Sequence, residues 1–553
     1  MHRLCIGMIL CWFVGWSSAA TVQVDVTQMQ AGAWTVTYQL PAPVKRLYFY
    51  RVGALQRDAW QLSDPDLQLG QTDAGQDYVA SQSGQAFTEM TIHFASDQRT
   101  TPKDYELNFA FSDGAELLYT GHLLVALTPE DKTEHQFTFN TAADQFIIVA
   151  GQRRQQQQQW LDQTLRGTYV YFGQQEPVQS DAMLGVIDPG LPAWVQQKLQ
   201  QYLPQLFDYY AAKTGLSLDF TPVVYFTYRD SDLSGTQYDG GVLPGLIQLN
   251  LVGQDWQQET PENLTGLLHF LAHEAAHLWN AQLVMSDSRR EHSWLHEGGA
   301  DAFAVRALVH LGFWDANDAR QAHVRYLNAC LDDLQGHAIT DHGGHQNFAV
   351  YYACGATLAW FSELALQAHQ ADTDLFDLWR DVMTRVHAKQ LKLTPEQYFI
   401  SLLQHSQNPA VMIHILTWLT EPHAQANEAM AAAFAAVGQP LKSQSQHPKQ
   451  AKQAAASAFK HLMQQDCRGY SYHRTPQAYV VGEGLSCGQL KSGMAVTHIM
   501  GESVVDGGHA ILEQVRRRCQ SQQPITLQAA EQASVSVACQ TAPAAIRPWL
   551  GLP

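Results

Sequence analysis

The residues able to do chemistry in this chain concentrate in His273-Glu274-Ala275-Ala276-His277 and in Glu297, which follows 20 residues after His277. On a helix, residues four apart share a face, so His273 and His277 can present both imidazoles to one ion. Glu274, beside the first histidine, sits where a carboxylate reaches a metal-activated water without being a ligand. A catalytic zinc takes three protein ligands and leaves a fourth position for water. Glu297 supplies the third, from a second helix that opens in Trp294-Leu295-His296-Glu297-Gly298-Gly299. The spacing therefore predicts one Zn2+ held by His273, His277 and Glu297, with Glu274 as general base. The motif follows an apolar run, Leu267-Leu268-His269-Phe270-Leu271-Ala272, where unpartnered histidines would be costly.

These side chains need two helices in register. Thr260-Pro261-Glu262 is a strong helix start, with threonine as cap and proline at the first position. The first helix is expected to run to about Leu283. A charged loop, Ser286 to Glu291, leads to the second, Trp294 to Gly312. Residues 258–440 read as almost wholly helical. Residues 146–257 read as mixed, with strands at Phe146–Ala150, Thr168–Phe172 and Leu218–Tyr228 and a helix from Leu191-Pro192 to Gly215. Between the first two strands, Arg153-Arg154 and the glutamines 155–159 read as a solvated helix start. Residues 21–145 read as β, because Thr21–Val26, Trp34–Tyr38 and Met90–Phe94 alternate apolar with polar residues.

HExxH followed by WLxEG resembles the gluzincin peptidases, the clan of thermolysin and aminopeptidase N. The run His277-Leu278-Trp279-Asn280 is similar to the glycyl aminopeptidase family, which pairs a β-rich N-terminal domain with a C-terminal PDZ domain. The resemblance implies the same zinc ligands and base. The spacer from His277 to Glu297 is one residue longer than in the aminopeptidase N pattern. The resemblance further implies that Asp301, at i+4 from Glu297, accepts a hydrogen bond from a ligand histidine; in a rival reading Asp301 is itself the third ligand. Tyr351-Tyr352-Ala353-Cys354-Gly355-Ala356, in a helix expected from Asn347 to Gln367, resembles the Tyr-x-x-Gly-Ala segment whose tyrosine stabilises the oxyanion. That role falls on Tyr352, with Tyr351 as the fallback. His342 and His345, just upstream, are candidates to line the cleft.

In gluzincins an edge strand before the metal helix pairs with the substrate backbone. Gly240 to Asn250 is the matching stretch, and Gly241, Gly245 and Gln248 are its expected substrate-binding residues. Aminopeptidases of the clan carry an amine-binding glutamate on this strand. Here Gln248 is present and no acidic residue lies between Gly240 and Gly253, although Asp239 is near. Endopeptidase and aminopeptidase action thus both stay open. Residues 441–455 read as a polar linker. In 456–545 the order of turn, strand, helix and strand resembles the later half of a PDZ domain. The expected fold is multidomain α+β: a sandwich-like N-terminal β domain, a thermolysin-like catalytic domain over 146–440 and a PDZ-like domain.

Residues 1–20 read as a signal peptide, with Arg3, an apolar core from Leu4 to Trp16 and small residues Ser17-Ser18-Ala19-Ala20. This points to a periplasmic or secreted protein without stable membrane insertion. A formal charge of -18 argues against nucleic acid as a partner and leaves a peptide or protein substrate. Six cysteines remain beyond the signal segment, and Cys330 with Cys354 is the economical disulfide pair. The alternative function is a peptide-binding or scaffold protein that retains a metal site.

Overall fold

The computed structural model describes residues 21–553 except 31, 52–54, 98–104, 130, 230–234, 288, 335, 342–347, 423–425, 445–447, 468, 483–484, 531–532 and 544–548. The expected signal segment, and His342 and His345, lie outside the described residues. The chain divides into two compact units, at Glu176/Pro177.

Among the described residues, the first unit is built from three sheets. Its central strands are Val22–Gln30 and Ala33–Val44, antiparallel to each other, with Phe87–Ala95 on the far side of the second. Register brings Val24 opposite Tyr38 and Val36 opposite Ile92, so the apolar face of each alternating run enters one core. Two sequence expectations need correction. Strands Phe146–Val149 and Tyr169–Gly173 pair with each other, the second pairs also with Glu116–Tyr119, and Ile147, Val149, Val170 and Phe172 join this same core. The boundary therefore falls at 176/177 and not at 145. The Arg and Gln run is also not a helix start. Gln152–Gln155 and Gln157–Asp162 are strands, and the second pairs with His135–Asn140, placing Trp160 opposite Phe137. Partner strands supplied ladder positions that a local reading of a polar run cannot see.

The second unit begins with a five-stranded sheet in the order 178–179, 184–187, 223–229, 246–252, 237–243. The three middle strands are parallel, and the edge strand Gln237–Leu243 is antiparallel to Leu246–Val252. Helix α1 (Ala193–Thr214) crosses between parallel strands and buries Val195, Leu199, Leu203 and Leu206 along one stripe. Gly215 ends it in the left-handed region at φ 69°, where its N–H caps Ala211. Four further helices build the site: α2 (Pro261–His277), α3 (Ser293–His310), α4 (Ala316–Leu334) and α5 (Ala349–His369). The Thr260 side chain caps α2 by accepting from the Asn263 N–H, and Pro261 opens it. A π-helical turn, Leu278–Leu283, continues α2.

Cys330 on α4 is disulfide-bonded to Cys354 on α5; Cys467–Cys487 and Cys519–Cys539 form the other two bridges. Residues 441–455 are not simply a linker. Lys442–Gln444 is a strand paired with Trp549–Gly551, and a helix begins at Pro448. Burial of Trp549 and Leu550 in the core of the helical lobe explains the pairing, and Asn328 clamps both backbone groups of Leu550. Residues 448–543 hold a separate core under two helices, Pro448–Cys467 and Gly508–Gln520, and a sheet ordered 472–474, 479–481, 495–499, 525–529, 535–537. Among the described residues no helix is long and apolar enough to cross a membrane.

In the first unit, His135 is buried and its Nε2 accepts a 3.0 Å hydrogen bond from the Val125 N–H. Burial holds its pKa down, from 6.5 to about 4. Between those values the unfolded chain binds the proton and the folded chain does not. This residue's contribution to stability is therefore fully present above about pH 6.5 and is lost as pH falls toward 4, on the order of 3 kcal/mol. Urea unfolding across that range is expected to show a steeper acid loss for the parent than for His135→Gln; equal slopes would remove the assignment.

Candidate metal centre and active site

The structure brings His273, His277 and Glu297 together. His273 Nε2 lies 3.1 Å from His277 Nε2, and Glu297 Oε2 lies 3.3 and 3.2 Å from the two nitrogens. Three atoms bound tetrahedrally to one zinc at about 2.0–2.2 Å stand about 3.3–3.5 Å apart, so this triangle fits the ion to within a few tenths of an ångström. Glu297 Oε2 is buried and has no hydrogen-bond partner. Among the described residues two other groups of metal-donor type occur, but each contains a disulfide-bonded pair, Cys519–Cys539 or Cys467–Cys487.

Each imidazole is oriented from its far side. His273 Nδ1 donates to Asp301 Oδ1 at 3.0 Å, and His277 Nδ1 donates to Asn280 Oδ1 at 3.2 Å. Asn280 is itself fixed, because its Nδ2 donates to the His296 carbonyl at 2.8 Å. With both Nδ1 atoms protonated, both Nε2 lone pairs turn to the shared point, as metal ligation requires. Asp301 is the partner of His273 here. Asn280 had no assigned role in the sequence, although its i+3 spacing from His277 carried the signal.

The field at the shared point favours a cation. Burial pushes the His273 pKa down, but Asp301, Glu297 and Glu274 outweigh it and raise it to about 10. Burial pushes the Glu297 carboxyl up, yet the pull of His273, His277 and His296 beside it holds it well below the usual carboxylate range. Glu274 is buried in the same cluster, and its pKa is raised by burial against the pull of the two histidines. A carboxylate so placed is suited to accepting a proton and returning it. The donor set and the electrostatics thus both fit a divalent metal held by two imidazoles and one carboxylate.

Tyr352 stands at this cluster. Its ring stacks on His273 with centroids 5.6 Å apart and planes 18° apart. Burial and the nearby Glu297 raise its pKa, so the hydroxyl keeps its proton and remains a donor. Tyr351 instead faces the core. What brings Tyr352 to Glu297 is a close crossing of α3 and α5. A Cβ on Gly298 would fall 2.1 Å from the Gly355 carbonyl carbon, and one on Gly355 would fall 2.1 Å from the Trp294 oxygen. The glycines of the WLxEG and Tyr-x-x-Gly segments are thus contact points of two helices.

The stretch Gly240–Asn250 is a hairpin, not one strand, and its free edge is Gln237–Leu243. Tyr238 on that edge packs its ring on Phe270 of α2, 4.9 Å between centroids. At the other end, Gln282 of the π-helical turn holds the hairpin through the Leu243 carbonyl, at 2.7 Å, and the Gly245 N–H, at 2.8 Å. The edge strand therefore runs alongside α2. A Cβ on Gly241 would meet nothing within 4 Å, while one on Gly240 would strike the Gln248 carbonyl. Gln248 lies opposite Gly241 on the inner strand. Ile247, Leu249 and Leu251 enter the core shared with α2, so alternation sends Gln248 to the other sheet face, buried with its Nε2 unpartnered. The structure does not bring Gln248 into the His273 cluster. Asp239 is exposed on the edge strand opposite Asn250.

No family profile and no curated protein matches the sequence. The fold does have a match. The crystal structure of an aminopeptidase N family protein from Idiomarina loihiensis aligns over 96% of this chain and 98% of its own, with a TM-score of 0.63 and 13% identity. The chain shares that protein's fold. An M1 zinc metallopeptidase mutant from Deinococcus radiodurans aligns over 73% of this chain and 94% of its own at 13% identity, but with a TM-score of 0.39 it carries no argument.

Because α3 and α5 touch through glycine, Gly298→Ala is expected to force them apart, at a cost of roughly 1–3 kcal/mol or more. Thermal unfolding and zinc titration check this together. A Gly298→Ala protein with unchanged melting temperature would show that the crossing tolerates the methyl group.

Proposed function

We propose that this protein is an exported zinc peptidase that hydrolyses peptide bonds. The observation that carries the reading is the triangle of His273 Nε2, His277 Nε2 and Glu297 Oε2, with both imidazoles held from behind by Asp301 and Asn280. The shared fold with an aminopeptidase N family protein supports it. Export is supported by the N-terminal pattern of residues 1–20 and by three disulfides.

In this reading His273, His277 and Glu297 hold the metal. A bound zinc supplies Lewis acidity that polarises a carbonyl and acidifies water. Glu274 accepts the proton as water adds to the scissile carbonyl carbon. It then gives that proton to the amine nitrogen as the carbon–nitrogen bond breaks. The Tyr352 hydroxyl donates to the oxygen on which negative charge develops. The free edge Gln237–Leu243 pairs with the peptide backbone, and Gly241 leaves it room to approach. The PDZ-like assignment of residues 456–545 belongs to the same reading, as a module for extended peptides.

Since Gln248 turns to the far sheet face, the inner strand offers no group for a free α-amine, and cleavage of N-terminally blocked peptides fits the site as well as cleavage of free ones. The deciding measurement is zinc content with peptide hydrolysis for the parent and Glu274→Gln. The expected result is zinc in both proteins and a fall in kcat of at least about 100-fold in the variant. A variant that binds zinc and cleaves as fast as the parent would remove Glu274 as the base. A parent that binds no zinc would end the reading.

A further inference from the structure

The hairpin that offers the free edge Gln237–Leu243 turns at Pro244-Gly245, between Leu243 and its partner Leu246. That turn does not by itself set the edge strand. Two-residue hairpin loops that match the natural twist of a sheet are of type I′ or II′, and both need a positive φ at the first central residue. Proline fixes φ at about −65°, so Pro244 excludes both. Gly245 stands at φ 71°, which after a proline is the type II combination, a turn that splays the strands it joins.

Gln282 supplies what the turn lacks. It comes from outside the hairpin, in the π-helical turn that continues α2. Its Nε2 donates to the Leu243 carbonyl at 2.7 Å, and its Oε1 accepts from the Gly245 N–H at 2.8 Å. One side-chain amide thus grips the residue that ends the edge strand and the residue at which the chain turns back. We propose that Gln282 is a positioning residue for the substrate: this side chain, and not the turn, fixes the edge strand, so that a peptide adding to that edge is held in one place relative to α2. The inference rests on the peptidase reading above. Gln282 acts through the strand, so its loss weakens the binding of extended peptides and leaves the metal ligands and the base in place.

The test is hydrolysis of fluorescein-labelled casein, an extended protein substrate, by the zinc-loaded parent, by Gln282→Ala and by the double variant Gln282→Ala/Pro244→Asn. In Gln282→Ala, KM is expected to rise about tenfold, the worth of two hydrogen bonds, with kcat within about threefold of the parent. Its zinc affinity, read by competition with a chromogenic chelator, is expected to match that of the parent, because Asn280 still holds His277. Pro244→Asn makes the loop Asn-Gly, which adopts the type I′ turn and aligns the strands without outside help. In the Gln282→Ala background it is therefore expected to return KM to within about threefold of the parent. An unchanged KM in Gln282→Ala overturns the proposal. So does a fall in zinc affinity that accounts for the lost activity, or a KM that Pro244→Asn leaves high. If Gln282→Ala does not fold, Gln282→Glu decides. It keeps the bond from the Gly245 N–H but sets a carboxylate against the Leu243 carbonyl, so the same rise in KM is expected, and a parent-like KM overturns the proposal. A parent that neither cleaves nor binds casein fails the function reading, and this inference with it; a parent that cleaves casein with Gln282 indifferent fails only this inference.

Discussion

Helices α3 and α5 can approach as they do only because glycine meets glycine. Gly298 and Gly355 leave no side chain at the crossing, so backbone lies against backbone. Glu297 immediately precedes one glycine and Tyr352 stands one turn before the other, so the contact that joins the helices also joins the carboxylate to the tyrosine. The disulfide from Cys330 to Cys354 ties α5 to α4 one residue from the same point. Van der Waals contact is steep enough that a single methyl group would undo this arrangement.

Around that crossing the structure handles a dense group of buried charges. Glu274, Glu297 and Asp301 surround two imidazoles within an otherwise apolar helical layer. Such a group is costly unless each member is bonded or neutralised. Asp301 and Asn280 satisfy the outer nitrogens, and a cation at the shared point would satisfy the inner ones. Asn280 and Gln282 both come from the π-helical turn after His277. Widened turns of this kind often mark functional sites. Here the turn does two tasks, orienting a histidine and anchoring the hairpin whose free edge runs beside α2.

Much of this was legible in the chain. Helix periodicity and capping located α2 and α3, because Thr260-Pro261 and the i, i+4 histidines are local signals. The alternation of Val22, Val24 and Val26 was enough for a half-buried strand. The Cys330–Cys354 bridge followed from economy of spacing. The errors came where partners are distant in sequence. Gln157–Asp162 is a strand because His135–Asn140 lies beside it, and 146–173 belongs to the first unit because Glu116–Tyr119 accepts its ladder. A polar run carries no period of its own to reveal such pairing.

The sequence by itself determined the candidates for metal ligands and for the base and the helices that carry them, since these depend on spacing along one helix and on short-range caps. Only the tertiary structure decided what those residues face. It turned Gln248 to the opposite sheet face, Tyr351 into the core and Tyr352 onto His273. It also set Asn280 behind His277. The reason is geometric. A helix or strand fixes which residues share a face, but which neighbour that face meets is set by contacts between segments far apart in the chain, and those depend on packing that no local pattern encodes.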